Sequence, residues 1–176
     1  MDCYMFSTHF MSYYMSLSGP VKDKFKRVAR WTRHINLIAK KVVSVPVCKN
    51  NHWYLLVAMD LESNPSLTIL NSVPDCGDDH EAAEAFIEYL RVGFQVSGVR
   101  VYRPLLPTQS TRNDCGAFVV LYQRHILEDT DEFKVPYSHQ LQCLFSSIFY
   151  SEEAKPKQSE RLVLAECGIE GAVQNG

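Results

Sequence analysis

The chain of 176 residues has almost no net charge, since 18 Lys and Arg stand against 20 Asp and Glu, leaving −2. A molecule so balanced has no strong overall attraction for nucleic acid or acidic membranes. No apolar run is long enough to span a bilayer, and the start, MDCYMFSTHFMSYYM, lacks the charged-then-apolar order of a signal peptide. The cysteines, at positions 3, 48, 76, 115, 143 and 167, form no CxxC pair and no dense disulfide pattern. Free thiols in a reducing compartment, nuclear or cytoplasmic, are therefore expected. No second Cys/His cluster stands at zinc-like spacing, and no internal repeat is visible.

What is present is the mix of one ordinary globule: 46% hydrophobic and 22% charged residues, enough apolar material for a sizeable core. One local bias exists, a basic run of Lys22, Lys24, Lys26, Arg27, Arg30, Arg33 and His34 followed by Lys40 and Lys41. It reads as a solvated helix face or as a docking face for an acidic partner.

The pattern along the chain predicts two helices over residues 5–16 and 22–38, broken by SLSGP. KKVVSVPVC (40–48) is β-branched and reads as a strand. WYLLVAMD (53–60) is nearly continuously apolar, as in a strand buried on both faces, and SLTIL (66–70) is a third strand. In HEAAEAFIEYLRVGF, Ala82, Ala85, Phe86, Tyr89 and Leu90 recur on one helical face. GVRVYRPLL (98–106) reads as a strand and CGAFVVLYQRHILED as a helix, with Phe118, Leu121, Tyr122, His125 and Ile126 on one side. A last helix is expected over 137–154, with Ser138 as N-cap, and a loosely ordered tail over 155–176. The order implies an α+β domain, with helices packed around a small central sheet.

Asp-Cys-Gly occurs twice, at 75–77 and 114–116. Cys115 opens a helix, where unpaired N–H groups and the positive end of the macrodipole favour an anion. Gly116 removes a side chain where a substrate backbone could approach, and Gln109 offers an uncharged N–H to a developing oxyanion. That set suits thiol acyl transfer. Cys76 sits among Asp75, Asp78, Asp79 and His80. Neighbouring acids disfavour a thiolate, and ligands packed so closely in sequence seldom reach tetrahedral geometry. A turn residue at Cys76, with Asp78 or Asp79 capping the next helix, is the favoured reading, and a metal site over 75–80 the rival. Of the six histidines, His52 is the best placed partner for Cys115, because it opens the strand that begins at Trp53.

These residues resemble the ubiquitin-like-protein proteases, the SUMO-deconjugating cysteine peptidases related to the adenoviral protease. VPVCKNNHWYLLVAMD resembles the family's strand–loop–His-Trp–strand element, ILNSVPD its next strand end, and LPTQSTRNDCGAFVVLY its Gln…Asp-Cys-Gly signature. The likeness runs from about Phe6 to Tyr150. It implies a papain-like cysteine protease fold, a small central mixed sheet packed by helices. The catalytic domain would cover residues 1–154. Cys115 would be nucleophile, His52 general base and then acid, and Gln109 with the Cys115 N–H the oxyanion hole. Trp53 would wall a channel narrow enough for a Gly-Gly tail. No cofactor and no metal is implied. The partner would be SUMO or another ubiquitin-like protein with its conjugates, and the enzyme a monomer.

Two departures stand out. The third triad position is Asn71 where the family has aspartate; it can accept a hydrogen bond from the His52 Nδ1–H but supplies no charge, so slowed catalysis is expected. Asp75 is the next candidate for that role. The family's upstream Trp-Leu-Asn-Asp-type segment does not precede Phe6, so the domain is expected to be N-terminally short, with substrate affinity affected more than chemistry. A weak or inactive binding module for a ubiquitin-like protein, and the same chemistry on ubiquitin or another modifier, remain the alternatives.

Overall fold

A computed structural model describes residues 2–73, 78–104, 106, 108–109 and 113–128. The helix expected over 137–154, the tail over 155–176 and the copy of Asp-Cys-Gly containing Cys76 lie outside them.

Five strands form one mixed sheet in chain order: β1 (Cys3–Met5), β2 (Val42–Lys49), β3 (His52–Met59), β4 (Ser66–Leu70) and β5 (Arg100–Tyr102). The middle three are antiparallel neighbours, while β1 and β5 run parallel to β2 and β4. β2 and β3 are joined by only Asn50 and Asn51, both at positive φ of 50° and 60°. A two-residue hairpin needs that left-handed pair of residues, and asparagine tolerates it better than most. The tight turn sets Lys49 opposite His52, so the histidine occupies the first position of β3. Pro46 fits in β2 because β1 covers only Val42 to Ser44, which leaves an open edge at the proline.

Alternation along β3 feeds two cores. Tyr54, Leu56 and Ala58 join Val43, Val45, Val47, Leu67 and Ile69 under α1 (His9–Ser16) and α3 (Asp78–Phe94). This core is aromatic: Phe6, Phe10, Tyr14, Phe86 and Tyr89 pack with ring centroids 4.1–6.1 Å apart. Leu55, Val57, Met59 and Leu70 point the other way, to Val119, Tyr122 and Ile126 of α4 (Cys115–Glu128). β3 is thus covered on both faces, as its continuous apolar run predicts.

Three expectations need correction. The helix expected over 22–38 is short, α2 (Val21–Val28) followed by a single 3₁₀ turn at Ala29–Trp31. Tyr89 and Thr32 share a buried hydrogen bond of 2.9 Å there, which fixes the chain in turns just after that 3₁₀ segment. The helix expected over 5–16 begins at His9, because Cys3–Met5 is claimed by the sheet. The strand expected over 98–106 is only Arg100–Tyr102, and Pro104 follows two residues later. No helix among the described residues is long and apolar enough to cross a membrane.

Candidate active site

The ends of β3 and β4 meet beside the start of α3, and the start of α4 comes in from the opposite face. The pairing Leu55↔Leu70 ends the β3–β4 ladder, so Asn71 follows directly on it and lies diagonally from His52. His52 Nε2 donates to Asn71 Oδ1 at 2.7 Å. The expected contact is present but uses the other ring nitrogen: Nε2, not Nδ1, faces Asn71. A neutral imidazole carrying its proton there keeps Nδ1 as the basic nitrogen. Asn71 Oδ1 also accepts the Val73 N–H at 3.0 Å. The hairpin tip is tied to α3 by an ion pair between Lys49 and Glu81.

Asn71 has a second partner that the sequence did not reveal. Its Nδ2 donates to Asp79 Oδ2 at 2.9 Å, and Asp79 Oδ1 takes a 2.6 Å bond from the Arg103 guanidinium. The Asp79 side chain is only 5% exposed. The reading of Asp79 as the helix cap is corrected: it is the second residue of α3, and its two carboxylate oxygens serve these contacts. Asp75, the other candidate to orient His52, lies outside the described residues.

On the opposite face, Cys115 is the first residue of α4 and only 4% exposed. The helix begins there because the Phe118 N–H closes on the Asp114 carbonyl at 3.1 Å. The Cys115 N–H is then among the first helical donors, which lack intrahelical acceptors. A Cβ built on Gly116 would stand 3.9 Å from Trp53 Cδ1, an ordinary contact, so α4 starts directly against the residue that follows His52. Cys48, paired with Trp53 across the hairpin, reports the same closeness. Burial pushes the Cys48 thiol up, and nearby Cys115 adds to the rise.

Gln109 is held by Ser72, one residue after Asn71. Its N–H reaches the Ser72 carbonyl at 3.1 Å, and its Oε1 accepts the Ser72 hydroxyl at 2.8 Å. With the oxygen turned to Ser72, the Nε2 end is the one directed elsewhere, as an oxyanion donor requires. His52, Asn71, Gln109, Cys115, Gly116 and Trp53 therefore gather at one end of the sheet. Among the described residues no three His, Cys, Asp or Glu side chains gather to hold a metal ion. Of the basic residues of α2, Lys22, Lys26 and Arg27 are exposed and Lys24 is half-buried, and Lys26 pairs with Asp23.

Comparison with known proteins gives the family. The model of the Ulp1 protease family, C-terminal catalytic domain, matches residues 1–155. Sentrin-specific protease 2 of Mus musculus is 29% identical over 116 residues, covering 60% of this chain but 19% of that protein. The chain therefore corresponds to a small part of that relative's length. Among solved structures, a de-sumoylating protease superposes with a TM-score of 0.64 at 17% identity, over 97% of this chain and 65% of the other. The C-terminal Ulp1 protease domain in complex with Smt3, the yeast ortholog of SUMO, gives 0.58 at 14% identity, over 73% and 58%. At these identities the likeness shows the fold, the α+β papain-like arrangement expected from the motifs.

Proposed function

The chain belongs to the Ulp1 protease family of cysteine peptidases, and on that premise we propose that it cleaves after the Gly-Gly terminus of a ubiquitin-like modifier, SUMO first among them. The observation that carries this reading is the 2.7 Å bond from His52 Nε2 to Asn71 at the strand end that α4 abuts with Cys115. The names of the relatives, sentrin-specific and de-sumoylating proteases, support SUMO as the modifier.

In the reaction, His52 Nδ1 takes the Cys115 thiol proton, and the thiolate attacks the carbonyl carbon of the terminal glycine. The oxyanion forms between the Cys115 N–H and Gln109 Nε2–H, the uncharged donors this reading assigns to it. Collapse breaks the C–N bond as the imidazolium hands its proton to the leaving lysine amine. Water, deprotonated by His52, then hydrolyses the thioester and restores the thiol. Trp53 and Gly116 bound a passage that admits glycine and rejects residues with side chains.

A binding module that holds the modifier without turnover is the second reading, favoured by the neutral Asn71. Hydrolysis of fluorogenic SUMO, ubiquitin and related modifiers by wild type, Cys115→Ser and Cys76→Ser decides between them. The proposal expects turnover by wild type and Cys76→Ser and none by Cys115→Ser. A wild type inert to every modifier would leave the binding module.

A further inference from the structure

An asparagine in the third position must solve two problems that aspartate does not have. Its two ends differ, so only one orientation presents an acceptor to His52, and it carries no charge to steady an imidazolium. Both problems have an answer in the residues around Asn71. Its Oδ1 meets two N–H donors, His52 Nε2 at 2.7 Å and Val73 N at 3.0 Å. Its Nδ2 meets a carboxylate, Asp79 Oδ2, at 2.9 Å. Reversing the amide would set donor against donor twice and oxygen against carboxylate once.

We propose that Asp79 is a positioning residue of this site: its buried carboxylate locks the Asn71 amide, and so supplies at one remove the charge and orientation that aspartate gives directly. Asp79 is suited to this. It is fixed in the first turn of α3, shielded from solvent, and gripped by Arg103 at 2.6 Å. A buried charge is screened far less than a surface one, so its field reaches the imidazole through the polarised amide. The locked amide also fixes the tautomer, with Nε2 protonated and Nδ1 left for the thiol. The inference rests on the proposed roles of His52 and Cys115.

It has an unexpected consequence. Asn71→Asp, which installs the family's usual residue, puts a carboxylate oxygen where Nδ2 now sits 2.9 Å from Asp79. Two carboxylates so placed repel, and the variant is impaired rather than improved. Exchanging the two residues, Asn71→Asp with Asp79→Asn, relieves the clash and restores function.

The test compares kcat and KM on fluorogenic SUMO for wild type, Asp79→Asn, Asn71→Asp and the exchanged double variant, with Tm for each. Both single variants should lose roughly 10- to 100-fold in kcat with KM nearly unchanged, and the exchange should recover most of the loss. Asn71→Asp as fast as wild type, or an exchange no better than the single variants, overturns the proposal. The tautomer is read independently by nitrogen-15 NMR of His52, without substrate and even where a variant is less stable. Wild type should show a single Nε2–H form, and Asp79→Asn a mixture. An unchanged single form in Asp79→Asn overturns the role of Asp79. A wild type that cleaves nothing yet shows the tautomer change would sink the proposed function and leave Asp79 standing.

Discussion

The two faces of β3 contribute to the site in different ways. On the α3 face, His52, Asn71 and Asp79 are linked by side-chain hydrogen bonds of 2.7 and 2.9 Å, ending on Arg103. On the α4 face, Cys115 is placed by a helix start against Trp53, and Gln109 is held to Ser72 by one backbone and one side-chain hydrogen bond. The difference separates two tasks. Orienting a base tolerates indirect links, because a dipole or a charge one group away still acts. Presenting a nucleophile does not, because a bond must form at one atom. Loss of the nucleophile itself should therefore be absolute, and damage to the groups that orient or surround it graded.

The largest effect should come from Cys115→Ser, which ought to remove turnover by at least about 10⁴-fold, while Cys76→Ser stays within about twofold of wild type. Progress curves on fluorogenic SUMO measure both. Next, Gln109→Ala should lower kcat by roughly 10²- to 10³-fold, the usual loss for one oxyanion donor. A graded loss of about 10- to 100-fold is expected for Asn71→Ala. Cleavage at the wild-type rate by that variant would make the α3 face dispensable and end the comparison. Smaller again, Gly116→Ala should raise KM by roughly threefold without lowering Tm, because its Cβ would stand 3.9 Å from Trp53, an ordinary contact, and narrow the proposed passage there.

Buried tyrosines of the α3-facing core tie stability to pH. Burial pushes Tyr14 up to about 12, and Tyr89, in the same aromatic core, is raised too, chiefly by burial. The unfolded chain then releases these protons first, near pH 10, so the stability they contribute is full below that and falls as pH climbs through 12. Alkaline unfolding followed by circular dichroism, with NMR of ring-labelled Tyr14 and Tyr89, should show their ionisation and unfolding occurring together. Ionisation of Tyr14 or Tyr89 well ahead of unfolding would contradict the packing described.

Much of this was legible in the chain because it is local. The β-branched and apolar runs of β2, β3 and β4 declare strands, and the periodicity of α3 and α4 declares helices. Motif order brought Cys115, His52, Asn71 and Gln109 forward together. What was not legible depends on partners distant in sequence. β1 is three residues whose strand character comes only from pairing with Val42 to Ser44. Asp79 looks like any acid opening a helix, until Asn71 and Arg103, eight residues before and 24 after, converge on it. The choice of Nε2 over Nδ1 at His52 likewise depends on where a strand end delivers Asn71.

The most direct measurement of the central claim is labelling with a SUMO probe ending in a Gly-Gly vinyl sulfone, read by intact mass and peptide mapping. One adduct on Cys115 is predicted, retained in Cys76→Ser and absent from Cys115→Ser. Labelling on Cys76, or no adduct on wild type, would contradict the account.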